Sequence, residues 1–391
     1  MRSYKLKENV ALVRYGEVFL KSPQVHRRFL NALSSNIRFY LERKRLEFER
    51  MVVERGRIYV YSDKPEEIAK SCCLVFGVTS SSPAIELSRN FSEIEEAVIS
   101  LAAREVRDNF TFAVRASREL KDYPLTSLEI EKRLGASILN ALRSLSVKVN
   151  LENPMVELGV EIRRRAAYVY AKTFKGVGGL PIGVEGKLVS LISGGIDSPV
   201  AAWLMLKRGA AITFLHLDLG GESRKRWLSV MNALSTWFSN PNLEAYFIPD
   251  YFKILEDVAS RAGKMTCLAC KRLMYRLAEA LTLKSGAKGF VTGESIGQVA
   301  SQTLDNLYAL SSGIKVPIYR PLAGLDKEDI VKLAKEIGTF QASTSIKFEC
   351  PYVPRKPETH VDVKSLLELE KELKLVEKAN EMLKRVSKLQ L

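Results

Sequence analysis

VALVRY at residues 10–15 reads as a strand. From about Pro23 to Arg45 the period is helical, with Phe29, Leu30, Leu33, Ile37, Tyr40 and Leu41 along one stripe. Two short runs follow, FERMVVE and GRIYVYS, parted by Arg-Gly, and read as strands around a tight turn. Ser62-Asp63 ahead of Pro65 marks a helix start, because proline at the first helical position gives up an N–H that would go unpaired anyway. That helix is expected to reach about Val75, with VTSSSPAIEL as a fourth strand. The order β-α-β-β-α-β is that of a ferredoxin-like α+β unit.

The next stretch has its own rhythm. Residues 91–107 (FSEIEEAVISLAAREVR) form an amphipathic helix, TFAVRAS a strand, and TSLEIEKRLGASILNALRS a second helix capped by Thr126 or Ser127. VELGVEI and AAYVYAKTF read as a β pair joined by Arg163, Arg164 and Arg165. The Gly-rich KGVGGLPIGVEG then marks a domain boundary. Beyond it KLVSLIS, AAITFLHLDL, AYFIP and GAKGFVTGES follow one another with helical segments between most of them. Strand–turn–helix alternation of this kind predicts a doubly wound parallel sheet. The end, VDVKSLLELEKELKLVEKANEMLKRVSKLQL, reads as one amphipathic helix that packs on the body or on a partner.

Charge adds a partner to this outline. The 391 residues hold 60 Lys and Arg against 45 Asp and Glu, a net charge of +15. The first 60 residues carry 14 Lys and Arg against 6 Asp and Glu, so the excess gathers at the front. A basic concentration suits a polyanion, since each phosphate contact releases counterions. Arg14, Lys21, Arg27, Arg28 and the arginines at 163–165 are the candidate phosphate contacts, although three arginines at a turn could equally be a solvated tip. No apolar run approaches the roughly 18 residues of a membrane span, and the N-terminus has no signal-peptide core, so a cytoplasmic protein without membrane contact is expected.

The sharpest chemical signal is Ser193-Gly194-Gly195-Ile196-Asp197-Ser198-Pro199, between an apolar strand and the helical VAAWLMLKRG. Two glycines let the backbone approach an anion closely, and the N–H groups at the helix start make a pyrophosphate cradle. Ser193 and Ser198 add hydroxyls, and Asp197 is placed to hold Mg²⁺ or orient phosphates. No Gly-Lys-Ser/Thr follows, so this is not a Walker loop. It resembles the SGGxDS loop of the PP-loop (adenine nucleotide alpha hydrolase-like) ATP pyrophosphatases, which cleave ATP to AMP and pyrophosphate. GMP and lysidine synthetases share that loop, so it fixes the activation chemistry and leaves the substrate open.

The resemblance extends along the chain. VRYGEVFLKSPQVHRRFLNAL, TGESIGQVASQTLDNL, PIYRPLAGLDKEDIVKLAKEIGT and CKRLMYR are similar to segments of tRNA 4-thiouridine synthetases, also called tRNA uridine sulfurtransferases. The implied organisation is a ferredoxin-like domain over 1–75, an α/β THUMP RNA-binding domain over 76–174 and a PP-loop synthetase domain over 180–391. The resemblance implies that ATP adenylates O4 of the uridine at position eight of tRNA, and that sulfur then displaces AMP to leave 4-thiouridine. It implies roles for His216, Gly293 and Gln302 around the nucleotide, with His216 equally readable as a core histidine. Lys271 or Arg272 could offset phosphate charge, and Arg272 is preferred. A homodimer gripping the acceptor region of tRNA is also implied. Two rivals remain: a PP-loop synthetase acting on a small molecule without RNA, and a non-catalytic RNA binder.

The five cysteines are too few and too scattered for a disulfide framework, and Cys72 and Cys73 read as core thiols. Cys350, in KFECPYVPRKPET, matches the family's sulfur-handling cysteine. Many members add a rhodanese domain that delivers persulfide sulfur; the sequence here runs out after one helix, so another route from the sulfur donor, sulfide or a desulfurase persulfide, is expected. A role in thiazole synthesis, which depends on that domain in some relatives, is not expected. Cys267-Leu268-Ala269-Cys270 with Cys350 offers three thiolates, a set suited to a [4Fe-4S] cluster with one open iron. The alternatives are a redox pair beside a persulfide on Cys350, or structural thiols.

Overall fold

The computed structural model describes residues 6–17 and 22–389, and its chain divides into two units, Met1–Gly179 and Leu180–Leu391. Unit one runs β1 (Val10–Tyr15), α1 (Pro23–Arg43), β2 (Arg50–Glu54), β3 (Arg57–Tyr61), α2 (Pro65–Cys72), β4 (Val78–Leu87), α3 (Phe91–Glu105), β5 (Thr111–Arg118), α4 (Ser127–Ala141), β6 (Lys148–Val149), β7 (Val156–Ile162), β8 (Ala167–Tyr170) and β9 (Phe174–Lys175). The ferredoxin-like order stands as expected: β2, β3, β1 and β4 lie side by side and antiparallel. Pro23 opens α1, and its stripe of Phe29, Leu33, Ile37, Tyr40 and Leu41 is buried. Thr126 caps α4 in a reciprocal capping box with Glu129, which satisfies two donors that a helix start leaves unpaired.

The expected boundary at 75/76 falls just before β4, and that strand pairs with β1 on one side and with β8 and β9 on the other. One sheet thus runs through both halves of unit one. Beneath it the buried carboxylate of Glu161 accepts from Arg14 and Arg57, each at 2.8 Å. Cys72 and Cys73 are buried core thiols.

Unit two runs β10 (Lys187–Leu191), α5 (Asp197–Lys207), β11 (Ala211–Leu217), α6 (Gly221–Leu234), β12 (Glu244–Ile248), α7 (Tyr251–Ala262), α8 (Thr266–Ser285), β13 (Phe290–Val291), α9 (Leu304–Ser311), β14 (Ile318–Tyr319), α10 (Lys327–Ile337), α11 (Phe340–Thr344), α12 (Val363–Glu372), α13 (Leu375–Lys384) and β15 (Ser387–Leu389). The sheet order is β14-β13-β10-β11-β12-β15, parallel except for β15. This is the doubly wound sheet that the strand–helix alternation predicts.

The single helix expected at the end is corrected. Lys374 adopts φ +52°, which breaks it into α12 and α13, and the chain then adds β15 to β12. Bending lets Leu366 and Leu373 of the first part and Leu375, Ala379 and Met382 of the second enter the same core. Among the described residues no helix is long and apolar enough to cross a membrane.

Candidate active site

The expected phosphate loop sits where β10 ends and α5 begins, at the carboxyl edge of the sheet. A cavity of about 330 Å³ opens there, lined among others by Ser193, Gly194, Gly195, Asp197, Ser198, His216, Gly293 and Gln302. Parallel sheets bind ligands in this crevice because the turns after neighbouring strands part there. The loop is preorganised from within. Ser198 Oγ accepts from the Ser193 N–H at 2.9 Å, and Ser193 Oγ accepts from the Gly195 N–H at 3.1 Å. Ser343 of α11 donates to the Gly195 carbonyl at 3.2 Å. Asp197 takes Lys327 Nζ at 2.6 Å on one oxygen and Gln298 Nε2 at 3.3 Å on the other. A Cβ on Gly293 would fall 2.7 Å from the Ser198 nitrogen, so the turn after β13 presses directly on the start of α5.

His216 lies one residue before the end of β11 and is buried, its ring stacked 4.2 Å from that of Trp227. Nδ1 lies 2.9 Å from the Ile192 carbonyl, which can only accept, so Nδ1 carries the proton. Nε2 is then a buried acceptor, and it has no partner among the described residues. Burial pushes the imidazole down to about 4 from its ordinary 6.5. Between those values the unfolded chain binds a proton that the folded chain refuses, so stability is present above pH 6.5 and is lost as pH falls toward 4. The loss should reach about 3 kcal/mol. Urea midpoints of wild type and His216→Gln across this range check it, the variant showing the shallower slope.

Arg272 is corrected. It is fully buried, and its guanidinium is held by Glu370 at 2.8 and 3.0 Å and by the Leu310 carbonyl at 2.6 Å, away from the cavity lining. A helix turns 100° per residue, so its neighbour Lys271 is the one facing the cavity. Glu294 accepts from Lys271 at 2.9 Å, Tyr275 at 2.5 Å, Thr292 at 2.9 Å and Arg320 at 2.9 Å. Burial pushes this carboxyl up, but the two cations and the donated bonds outweigh it and hold it below its ordinary range.

Cys267 and Cys270 lie in the first turns of α8. Cys270 Sγ is 3.1 Å from the buried Tyr251 hydroxyl. Burial pushes Cys270 up to about 12 and raises Cys267, and the nearby Cys350 thiol raises both further. The three thiols therefore share one neighbourhood. Among the described residues, however, no three Cys, His, Asp or Glu side chains stand as a set able to hold a metal ion. Phe348, two residues before Cys350, lines the cavity.

Of the candidate RNA contacts, Lys21 lies outside the described residues. Arg27 and Arg28 are exposed on α1. Arg14 is committed to Glu161, to Ser82 at 3.0 Å and to the Tyr170 ring. At the β7–β8 turn Arg163 is held by the Arg55 carbonyl at 2.8 Å, Arg164 is exposed, and Arg165 is 80% exposed. Sequence reading missed Arg226, Lys327 and Ser343, which reach the loop from α6, α10 and α11. Lys327 lies in the family-like segment LAGLDKEDI, a signal that was there to follow; Arg226 and Ser343 carry none.

Comparison with known proteins places these features in a family. Residues 10–82 match the ThiI ferredoxin-like domain, 88–172 the THUMP domain, and 183–375 the family described as Thiamine biosynthesis protein (ThiI). A probable tRNA sulfurtransferase of Methanocaldococcus jannaschii is 36% identical over 96% of this chain and 100% of its own. One from Thermococcus kodakarensis is 38% identical over 89% and 93%. The crystal structure of a 4-thiouridine synthetase–RNA complex with bound ATP superposes with a TM-score of 0.84, at 31% identity over 98% of this chain and 100% of that one. PH1313 from Pyrococcus horikoshii gives 0.68, at 28% identity over 84% and 99%. With such identity sustained over nearly the full length of its relatives, the chain belongs to the ThiI family of tRNA sulfurtransferases.

Proposed function

We propose that this chain is an ATP-dependent tRNA 4-thiouridine synthetase. The observation that carries the reading is that the SGGIDS phosphate loop and Phe348, two residues from Cys350, line one cavity. Nucleotide activation and sulfur delivery can thus meet at one atom. The 4-thiouridine synthetase of the same fold is captured with both RNA and ATP.

In the first step O4 of the uridine attacks the α-phosphorus of ATP, and the bond to pyrophosphate breaks. The N–H groups of Gly194, Gly195 and the start of α5, with the Ser193 and Ser198 hydroxyls, hold the departing phosphates. Magnesium binds ATP through one or two carboxylates plus phosphate oxygens, so Asp197 alone is a sufficient protein ligand for an ion that would offset phosphate charge. In the second step sulfur attacks C4, the C4–O4 bond breaks, and AMP departs with the oxygen. This splits a displacement with a poor leaving group into two with good ones. The sulfur is the outer atom of a persulfide on Cys350, passed there from a desulfurase persulfide; once it bonds to C4, Cys267 or Cys270 attacks the Cys350 sulfur, the S–S bond breaks to release 4-thiouridine, and a thiol reductant reopens the disulfide left behind. Arg27, Arg28, Arg164 and Arg165 contact RNA phosphates; they position the acceptor region without reading sequence. The working form is a homodimer.

The test mixes the protein with ATP, Mg²⁺, a desulfurase-borne persulfide, a dithiol reductant and a tRNA transcript, with and without prior iron loading, beside Cys350→Ala. Pyrophosphate release that requires tRNA, and 4-thiouridine that requires Cys350, are expected. Pyrophosphate release indifferent to tRNA would sink the reading in favour of a small-molecule synthetase. Thiolation only after iron loading would move the sulfur from a cysteine persulfide to a cluster.

A further inference from the structure

Four charged side chains line the nucleotide cavity: Asp197, Arg226, Lys271 and Glu294. Three are balanced. Asp197 faces Lys327 at 2.6 Å, and Lys271 faces Glu294 at 2.9 Å. No carboxylate among the described residues pairs with Arg226. Its Nε is buried without a partner, and its guanidinium makes one long bond, from Nη1 to the Phe348 carbonyl at 3.5 Å. Burial alone pulls its pKa below the ordinary arginine value. A guanidinium carries five donors and stays charged, so leaving it in a part-buried cavity without an acid is unfavourable unless an anion arrives.

Its position says which anion. The stem lies against the phosphate loop: a Cβ on Gly194 would be 3.0 Å from both Cγ and Nε of Arg226. The other end lies over the Phe348 ring, 5.7 Å from its centroid, in the segment that leads to Cys350. Arg226 therefore stands between the group that grips ATP and the segment that brings sulfur. One phosphate takes part in both steps proposed above. The α-phosphate is joined to pyrophosphate before the first and to uridine O4 before the second, and it leaves as AMP carrying the displaced oxygen.

We propose that Arg226 is a catalytic residue of both half-reactions, its guanidinium binding the α-phosphate through adenylation and through the departure of AMP. This rests on the thiolation reading. In the first step it offsets charge on the five-coordinate phosphorus. In the second it offsets the charge that AMP gains as the C4–O4 bond breaks. The planar fork can take two phosphate oxygens at once, which a lysine cannot.

The experiment compares wild type with Arg226→Gln, Arg226→Lys and Arg226→Ala at saturating ATP and tRNA. One arm measures pyrophosphate release with no sulfur donor, and the other a single turnover of pre-adenylated tRNA by enzyme whose Cys350 already carries persulfide sulfur. Loss of one such donor should lower each rate by roughly 100-fold in Arg226→Gln, with Arg226→Lys between it and wild type. Added guanidinium ion should restore part of both rates in Arg226→Ala, and melting temperatures report that the variants remain folded. Unchanged rates overturn the assignment. So does a raised KM for tRNA with both rates intact at saturation, which would place Arg226 on an RNA phosphate. So does a loss confined to folded-protein yield and unmoved by guanidinium, which would make Arg226 structural. If wild type itself releases no pyrophosphate with tRNA, the thiolation reading fails and Arg226 with it; an active wild type beside equally active variants sinks only Arg226.

Discussion

Gly293→Ala is expected to lower tRNA-dependent pyrophosphate release by at least about 100-fold in a protein that still folds. The added Cβ would lie 2.7 Å from the Ser198 nitrogen, 2.8 Å from the Ser198 Cα and 2.9 Å from the Asp197 carbonyl carbon. All three are backbone atoms at the first turn of α5, and no rotamer change can move them aside. Either the turn after β13 or the start of α5 must shift. A shift of about 1 Å in the groups that aim at phosphate is enough for a loss of this size, because the binding geometry then no longer matches the reacting one. Steady-state pyrophosphate release with a melting curve on the same sample checks it. Full activity would mean that the two turns can part without moving the phosphate N–H groups.

The second large effect is on stability. Glu370→Ala should lower the unfolding free energy of unit two by about 3–5 kcal/mol, because it strands buried cations. Glu370 of α12 takes Arg272 at 2.8 and 3.0 Å and Arg276 at 2.6 and 3.1 Å, both from α8, and Arg272 is fully buried. Burial pushes the Glu370 carboxyl up, but the two guanidinium groups prevail and hold it below its ordinary value of 4.5. The triad's contribution is therefore present above pH 4.5 and is lost as pH falls through the lowered folded-state pKa. Denaturant midpoints at pH 7 for wild type and Glu370→Ala measure the effect. A change below about 1 kcal/mol would show that water reaches and solvates the arginines once the carboxylate is gone.

The two corrections in unit two have one origin. The Arg-rich turn of α8 and the Leu-rich tail both carry their apolar and charged positions at helical spacing, and spacing predicts a helix and a stripe. It does not say what the stripe meets. Arg272 is the preferred candidate for offsetting phosphate charge when only its neighbours in sequence are seen; the ion pair that claims it comes from Glu370, 98 positions further on. The tail looked continuous because nothing at Lys374 advertises φ +52°. The bend follows from burying leucines on both sides of it in one core.

Local chemistry was legible wherever neighbours in sequence are neighbours in space. The short apolar run over 10–15, the proline that opens α1, the capping box at Thr126 and Glu129 and the strand–glycine–helix phosphate loop all act within a few residues, through backbone hydrogen bonds and steric limits that travel with the chain. These alone determined the ferredoxin-like strand order, the doubly wound sheet and the anion site. Only the tertiary structure decided which charges are free to act. It committed Arg14 to Glu161 and Arg272 to Glu370, turned Lys271 toward Glu294 and the cavity, and left Arg226 on the phosphate loop without an acid. The reason is physical: a charge is neutralised, desolvated or left available by whatever packs against it, and those partners lie tens to more than a hundred residues away.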